Sequence, residues 1–599
     1  MCPRRHLLHL LAILTILPKL TYAVEKPWRE IRSPHFRVIT NGSEGAARRV
    51  ANAFEQMRSV IASEFPGYRI DPPAPLLILA PSDEPTTKNL VPSFWQHGGP
   101  KPAGVFFHGW EKEYALVRLD AVGSSADPFA IVYHEYTHSL LHLNFRWLPT
   151  WLDEGLAEFY GFTRFEKEHT YIGAPPRNAR YMSILYRRPS MPLGAFIEKR
   201  GSFSKDEEDT QLFYAQSWAL THFLSLSEGM GGGARLNHFF NELQHGTDQQ
   251  KAFQETFGDF KTVQKNFDQY LWRFAFQTGV IPPVSQDDEK EFKIRTMSVA
   301  ETNAELGSFY SLTGQWQNAV EYSEAAMKDE PNLALAHETL GFAKLHSGND
   351  DEASRELSKA VELDGTLYRS LFAKTMLSPM PHADSPADRT AFGATLMKVL
   401  DTNTQFAPAY VELAKLSIAL GDLTRALAMA RTAEKLEPSR AGYHLLSGRI
   451  LLRMGHAPEA AAHAAFVANR WSGPDRDEAM ELWDEVPSDK RPANGPVDTP
   501  LGELKSANGI VKAVACSEKG MTLTLDQNGI PLTLHQQTSI VGFSDTLWVG
   551  REHFTPCYHT TGLRAVVRYK QSSDAAYGGE IVSLGFRDDL PGVKKTEEK

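Results

Sequence analysis

Hydrophobic and polar positions alternate in short runs near the start of the chain and follow a helical period afterwards. Apolar runs at residues 35–40 and 76–80 predict two strands, and the amphipathic stretch 46–65 between them predicts a helix. Two further strands are predicted at 103–107 and 114–119, and the strong segments that follow are helical. Strands first and helices second predict an α+β domain.

Small residues recur at a fixed interval in the middle of the chain. Leu306, Gly307, Gly314, Ala319 and Ala326 have counterparts 34 positions later, and the pattern returns after a further 73 positions. That longer step leaves room for one degenerate copy with five extra residues. The period resembles tetratricopeptide repeats and implies an α-solenoid, with an ordinary helical bundle as the alternative. The repeats are predicted over 300–475, as copies at 300–333, 334–367, 368–406 (degenerate), 407–440 and 441–474.

The last hundred residues have strand character. A linker is predicted at 476–500, because Pro and Asp accumulate towards its end. About five short strands are predicted over 501–590, and Asn528-Gly529 between two alternating runs indicates a hairpin turn. The expected fold of this segment is a small all-β barrel of the OB or SH3-like type. Residues 591–599 form a charged tail that is predicted to be disordered.

The N-terminus has the layout of a cleavable secretory signal peptide over residues 1–23. Arg4 and Arg5 precede an eleven-residue apolar run, and small residues ending at Ala23 mark the expected cleavage point. The run is shorter than the about 20 residues that span a bilayer. An uncleaved anchor is the alternative interpretation. We therefore expect a secreted or periplasmic protein with no membrane span after signal removal, whose first folded domain occupies residues 24–285.

Cysteine content and net charge further restrict the class of protein and its expected partners. Signal removal leaves Cys516 and Cys557, an even pair in an oxidising compartment, and the sequence leaves open whether they form a disulfide. The 599 residues, 42% of them hydrophobic, are enough for about four compact units. The net charge of −10 and the lack of a basic-aromatic stripe argue against a nucleic-acid partner, also for the terminal barrel.

One short motif carries candidate chemistry. Residues 134–138, HEYTH, fit His-Glu-x-x-His, and Asp127-Pro128 just before them provides a helix N-cap and a proline at the first helical position. On a helix, His134 and His138 share one face, so both imidazoles can reach one metal ion. Glu135 then lies beside the metal, where it can accept a proton from water.

His142 continues the same helical face and is a rival ligand. The metzincin pattern would require Gly three residues and His six residues after His138. Those positions are Leu141 and Asn144, so the pattern fails and His142 is predicted to be a packed or polar-face histidine.

A second helix is predicted at 150–158, TWLDEGLAE, with Thr150 and Asp153 arranged as a capping box. Fifteen residues separate His138 from Glu154, enough for the first helix to end and the chain to return. A catalytic zinc site needs a third protein ligand and one open position.

These two helices resemble those of the gluzincin metallopeptidases, the group that contains thermolysin and the zinc aminopeptidases. The resemblance implies that the domain at 24–285 is a metallopeptidase. It also implies one zinc ion held by His134, His138 and Glu154, with Glu135 as general base. Glu158 lies one turn after Glu154 and is predicted to orient a ligating histidine from the second shell. A solvated helix carboxylate is the alternative role for Glu158.

The segment 213–220, FYAQSWAL, resembles the helix that follows the zinc site in aminopeptidase-like gluzincins. The resemblance makes Tyr214 the donor to the developing oxyanion, a role that a protonated phenol can fill. A tyrosine that only packs at the helix start is the alternative. His222 and His169 are weaker candidates for the same task.

The sequence thus predicts an exported zinc-dependent peptidase whose repeats bind a protein substrate or partner. The layout resembles exported bacterial proteins with a metallopeptidase head and a repeat tail. The Gly-x-Met-Glu-Asn segment of zinc aminopeptidases is absent before His134, which favours an endopeptidase. The strands at 103–107 and 114–119 precede the zinc helix, where the related families keep a substrate-pairing edge, and an extended peptide could add to it through main-chain hydrogen bonds. The alternative function is a non-catalytic repeat scaffold that binds proteins or peptides.

Overall fold

The chain folds into a mixed α/β region, a run of paired helices and a closed five-stranded barrel. This order confirms the predicted fold class at that level. The predicted signal peptide and the predicted tail lie outside the described residues. The computed structural model describes residues 27–71, 75–95, 101–108, 112–122, 128–176, 179–199, 207–273, 276–284, 289–382, 385–493, 495–497, 503–517, 520–536, 557–572 and 574–587.

The α/β region, which we call the head, contains nine strands and ten α-helices among its described residues. In chain order they are β1 (Arg29–Arg32), β2 (Arg37–Thr40), α1 (Glu44–Glu64), β3 (Leu76–Ala80), α2 (Glu84–Leu90), β4 (Gly104–Phe107), β5 (Glu113–Val117), α3 (Pro128–Asn144), α4 (Thr150–Gly161), β6 (Arg164–Phe165), β7 (Thr170–Ile172), α5 (Ala179–Arg187), α6 (Leu193–Ile197), α7 (Glu207–Leu226), α8 (Ala234–Gln244), α9 (Gln249–Phe257), α10 (Phe260–Leu271), β8 (Gly279–Ile281) and β9 (Lys293–Thr296).

Paired antiparallel helices follow the head, and we call them the solenoid. They are α11 (Val299–Leu312), α12 (Trp316–Asp329), α13 (Ala334–His346), α14 (Asp350–Leu363), α15 (Tyr368–Leu377), α16 (Pro386–Thr402), α17 (Ala407–Ala419), α18 (Leu423–Leu436), α19 (Ala441–Arg453), α20 (Ala457–Ala468) and α21 (Gly473–Glu485). Gly341 shows why small residues recur: a Cβ there would lie 2.7 Å from Leu357 on the paired helix. Helices α15 and α16 occupy the span of the predicted degenerate copy.

The main sheet of the head has the strand order β4-β5-β3-β2-β1-β9. Strands β2, β3 and β5 are parallel, whereas β1, β4 and β9 run antiparallel to their neighbours. One face of the sheet packs on α1 and α3 through Ile78 and Phe54. The other face packs on α11, where Tyr114 and Phe107 each meet the ring of Phe309 edge-on. The first repeat therefore completes a three-layer head.

Two predicted boundaries are wrong. The head does not end at 285, because β9 pairs with β1 and puts Ile294 opposite Ile31. This strand lies at the sheet edge and is largely exposed, so its polar sequence resembles a linker. The predicted linker 476–500 begins too early, because α21 runs to Glu485 and buries Ala479 and Leu482 against the preceding helices.

The C-terminal barrel consists of β10 (Lys505–Ser517), β11 (Gly520–Gln527), β12 (Ile530–Gln536), β13 (Arg564–Lys570) and β14 (Gly579–Arg587). Its strand order is β10-β11-β12-β14-β13, closed by β10 pairing with β13. Asn528 and Gly529 both have positive φ, as the type I′ hairpin turn requires. A disulfide joins Cys516 to Cys557, with Cα atoms 5.7 Å apart. Among the described helices, none has the length and apolar character needed to cross a membrane.

Candidate metal centre

Helix α3 carries the His-Glu-x-x-His motif on the side that faces away from the sheet. It begins at Pro128, the predicted first helical residue, whereas Asp127 lies outside the described residues. Val132, Tyr136 and Leu140 are buried in the head core and set the rotation of the helix. The helical period then places the two histidines on the other side, with 3.1 Å between the Nε2 atoms of His134 and His138.

Helix α4 brings Glu154 to this pair of imidazoles. Trp151 and Leu152 are fully buried and anchor the helix in the core. Gly155 allows close packing on α7, because a Cβ at that position would lie 2.6 Å from the carbonyl oxygen of Ser217. Glu154 Oε2 consequently lies 3.5 Å from His134 Nε2 and 3.4 Å from His138 Nε2.

These three side chains fit a zinc-type ion. Each offers one ligand atom, and the three atoms lie within 4.8 Å of one another. Glu154 Oε2 is buried and has no hydrogen-bond partner among the described residues, although two imidazole nitrogens lie near it. Two imidazoles and one carboxylate form a ligand set found in catalytic zinc sites. An ion between them would satisfy an oxygen that is otherwise costly to bury.

The electrostatics at this centre favour positive charge. Burial alone would lower the pKa of His138, but the charges of Asp153 and Glu154 and the hydrogen bond to Asp153 raise it well above its usual value. Burial alone would raise the pKa of Glu154, but its attraction to the imidazoles of His134 and His138 lowers it. A site that holds carboxylates charged and attracts a proton to imidazole also attracts a divalent cation.

Two carboxylates contact the outer nitrogens of the histidine pair. Glu158 Oε1 lies 3.6 Å from His134 Nδ1, close to the position predicted for it. Asp153 Oδ1 lies 3.0 Å from His138 Nδ1, and its other oxygen lies 2.9 Å from His142 Nε2. A hydrogen bond such as the one between Asp153 and His138 fixes the tautomer and the ring orientation of a ligating histidine. The exposed His142 is thus a polar-face histidine paired with Asp153.

The predicted capping box at Thr150 and Asp153 is wrong. Pro149 is the N-cap residue of α4, Thr150 is already helical, and no side chain caps the helix. The Asp153 carboxylate is engaged by the two imidazoles instead. Sequence reasoning therefore missed a residue of the candidate site, although an acidic residue directly before the predicted third ligand was a usable signal.

A second missed residue contacts the proposed general base. His108 follows β4, and its Nε2 lies 3.6 Å from Glu135 Oε2 while its Nδ1 lies 3.2 Å from Glu113 Oε1. Burial opposes a charge on His108, but hydrogen bonds to both carboxylates raise its pKa to about 9. Burial alone would raise the pKa of Glu135, and the hydrogen bond to His108 lowers it. Glu135 is therefore held as an anion beside the histidine pair.

Tyr214 lies on α7, in electrostatic reach of the centre. Burial raises the pKa of its phenol, and the charges of Glu154, Glu158 and Glu135 raise it further. The phenol therefore stays protonated and able to donate at neutral pH. Of the weaker candidates, His222 is buried in the core with its Nδ1 2.5 Å from the Tyr270 hydroxyl.

Replacing Asp153 with Asn tests the outer contact of His138. We expect zinc to bind about 10- to 100-fold more weakly, because the amide no longer attracts the imidazole N–H as a carboxylate does. Competition with a chromophoric chelator measures this affinity. His142→Asn removes only the exposed partner of Asp153 and is the matched control. Equal zinc affinities for the Asp153→Asn and wild-type chains would contradict the assignment.

Comparisons with known proteins concern the repeats. No protein-family model matches this sequence, and neither does any curated protein. Among solved structures, MamA is 18% identical, with 32% of this chain and 98% of that chain covered and a TM-score of 0.24. A thermophilic TPR protein of Thermus thermophilus is 18% identical over 31% of this chain and 97% of its own, with a TM-score of 0.25. YrrB, described as a TPR protein with an unusual peptide-binding site, is 13% identical over 31% of this chain and 87% of its own, with a TM-score of 0.24.

Proposed function

We propose that this protein is an exported zinc-dependent peptidase. The observation that carries the proposal is the convergence of His134, His138 and Glu154 from two helices, with Glu135 beside them. These residues would hold one zinc ion. When bound, zinc supplies a Lewis acid that polarises the scissile carbonyl and lowers the pKa of a water molecule. Export rests on the predicted signal peptide and agrees with the disulfide between Cys516 and Cys557.

Glu135 supplies the proton transfers. As an anion it accepts a proton from water while the water oxygen bonds to the carbonyl carbon. It then passes this proton to the amide nitrogen as the carbon–nitrogen bond breaks, so that a carboxylic acid and an amine leave. His108 contacts Glu135 and is itself held by Glu113, which keeps the carboxylate aimed at the centre. His108 therefore acts as a positioning residue for the Glu135 carboxylate.

Tyr214 is the proposed donor to the oxyanion, and Tyr214→Phe tests it. We expect kcat to fall about 10²- to 10³-fold with little change in KM, because the lost hydrogen bond acts mainly on the transition state. Steady-state kinetics on a quenched fluorescent peptide measures the split. Tyr186→Phe, on α5, serves as the control tyrosine. A large rise in KM with unchanged kcat would instead assign Tyr214 to substrate binding.

The substrate we propose is an extended peptide. Strand β4 lies at the edge of the main sheet and pairs only with β5 among the described strands, and it directly precedes His108. Such an edge can accept a peptide strand through main-chain hydrogen bonds. Internal cleavage is favoured, because the sequence lacks the segment by which zinc aminopeptidases recognise a free N-terminus.

Digestion of a peptide library by the purified mature chain tests this function. Cleavage products are expected with zinc present and are expected to disappear after chelation and to return when zinc is restored. Mass spectrometry of the products distinguishes internal cuts from removal of terminal residues. Stoichiometric zinc without any turnover would contradict the proposal.

The second candidate is a scaffold that binds proteins or peptides. The paired helices of the solenoid form the kind of extended surface on which tetratricopeptide repeats bind proteins or peptides. This surface favours a binding function that needs no catalysis. Part of the solenoid is already used by the head, since Lys112 lies 3.8 Å from Glu338 on α13 and α11 covers the sheet. Under this alternative, a peptide-library enrichment on the immobilised chain is unchanged by Glu135→Gln, and no fragment is released.

A further inference from the structure

A second group of metal-ligating side chains lies in the solenoid, away from the head site. Glu434 on α18, His444 on α19 and His463 on α20 each offer one ligand atom, and these atoms lie within 4.8 Å of one another. The three residues come from three consecutive helices of the last two repeats. An earlier repeat has a related pair, because His337 and Glu356 stand 107 positions before His444 and His463 and contact each other at 2.6 Å, but Met327 replaces Glu434 there, so that repeat does not join two imidazoles to a carboxylate.

The hydrogen bonds of His444 leave one ring nitrogen for a cation. His444 is fully buried, and its Nε2 lies 2.7 Å from the carbonyl oxygen of Pro438. A carbonyl only accepts, so Nε2 carries a hydrogen, and Nδ1 is the ring nitrogen left to bind a proton or a metal ion. That Nδ1 lies 2.8 Å from Glu434 Oε1. Two acceptors at this distance require a positive charge, either a proton or a metal ion.

His463 adds a third buried ligand. Its Nδ1 is buried and has no hydrogen-bond partner among the described residues, and its ring centroid lies 6.3 Å from that of His444. A buried ring nitrogen without a partner is costly, and a proton or a cation would satisfy it.

The surroundings select the kind of ion. Ser447 donates to the second oxygen of Glu434 at 3.0 Å and orients the carboxylate. Beside the cluster lies a cavity of about 560 Å³, lined by Glu434 and His463 and by the basic side chains of Arg69, Arg146, Arg431 and Lys435. Calcium and magnesium need several oxygen ligands, which this lining lacks, whereas imidazole suits zinc-class ions.

Arg146 forms an ion pair with Glu434 of the cluster, and its partial exposure lets it move away. Its Nη2 lies 3.6 Å from Glu434 Oε1, but the side chain is 40% exposed and its guanidinium also lies over the ring of Phe466 on α20. An incoming ion would replace Arg146 as the partner of Glu434, and the stacking contact would remain. The head also reaches this end of the solenoid through Trp147, which donates to the carbonyl of Arg470.

We propose that Glu434, His444 and His463 bind a second divalent ion of the zinc class. The ion would be structural: it would tie α18, α19 and α20 together at the place where the head rests on the last repeats. The cavity leaves room for a water molecule as the fourth ligand. This inference does not depend on the peptidase proposal, because none of the three residues belongs to the head site.

Zinc content of the full mature chain tests the proposal, measured by elemental analysis after dialysis against zinc-free buffer. We expect two zinc ions per chain in the wild type, one in Glu154→Gln, one in His463→Gln and none in the double variant. His456→Gln, an exposed histidine at the start of α20, is the matched control and keeps two. Zinc in His463→Gln equal to that of the wild type overturns the proposal.

The Glu154→Gln chain gives a second readout that leaves the cluster intact. Added zinc is expected to raise its melting temperature, and this rise is expected to vanish in the double variant. A Glu154→Gln chain that binds no zinc and shows no shift overturns the proposal, even if His463→Gln fails to fold. If only the head site fails to bind zinc, the expected zinc contents are one ion in the wild type, one in Glu154→Gln and none in His463→Gln.

Discussion

Exchanging Glu135 for Gln is expected to slow peptide hydrolysis about 10³-fold while the head-site metal stays bound. Glutamine has nearly the shape of glutamate, and Glu135 is not among the three ligand residues, so metal binding has no reason to change. The amide cannot accept a proton from water. His108, 3.6 Å from the Glu135 carboxylate, still contacts the Glu113 carboxylate in this variant, and that contact raises the pKa of the ring and favours its protonated form, which is a poor base.

Initial rates on a cleaved library peptide and zinc content measured on the same sample test this expectation together. Glu168→Gln is the matched control, because Glu168 is an exposed carboxylate in the β6–β7 hairpin. A Glu135→Gln chain that retains more than about a tenth of the wild-type rate would remove Glu135 as the general base. Loss of zinc along with activity would instead show that Glu135 supports the metal site.

Exchanging Glu154 for Gln is expected to remove the head-site zinc and, with it, hydrolysis. The carboxylate is the only anionic member of the ligand set, and its Oε2 lies 3.4 to 3.5 Å from both imidazole Nε2 atoms. A neutral amide is a weaker ligand, and zinc affinity depends on deprotonated donors. We expect one zinc ion fewer per chain than in the wild type and a rate at least about 10³-fold lower.

Elemental analysis and initial rates measure the effect of Glu154→Gln, again with Glu168→Gln as the control. Circular dichroism shows whether the fold is kept, which we expect because the side chain contacts the site rather than the packed face of α4. Full zinc content in Glu154→Gln would mean that another residue is the third ligand. Unchanged hydrolysis at reduced zinc would separate the activity from this centre.

Local patterns predicted much of the fold. Residues 76–80 form the predicted strand β3 with the same ends, and the helix predicted at 46–65 is α1, one to two residues displaced. Alternation and helical period arise from backbone geometry within a few residues, so they can be recognised without the rest of the chain. Elements whose role depends on distant partners were missed: β9 lies outside the domain predicted at 24–285, because its pairing with β1 is not visible in its own sequence.

The residues of the candidate site likewise divide into those with a local sequence signal and those without one. His134 and His138 face one point because they are four residues apart on a helix, and the tandem interval of 34 residues predicted the solenoid. His108 could not be found like this, because it reaches Glu135 from the end of β4 by way of the sheet. Asp153 was predicted to cap helix α4, because residue spacing in the sequence does not show that its carboxylate lies opposite the imidazoles of His138 and His142.

Sequence patterns were enough to predict the order of head, solenoid and barrel, the shared face of the histidine pair and the spacing of the repeats. Each of these features leaves a regular pattern in the sequence, with a period of two residues for strands, 3.6 for helices and 34 for the repeats. The resemblance implied that Glu154 joins the pair, but the close packing of Gly155 on α7 is what brings it there, and the meeting of three residues from separate helices at His444 is visible in the folded protein alone. Contacts of this kind depend on how the buried surfaces of different helices pack together. Residues far apart in the chain show no local sequence pattern from which this packing could be predicted.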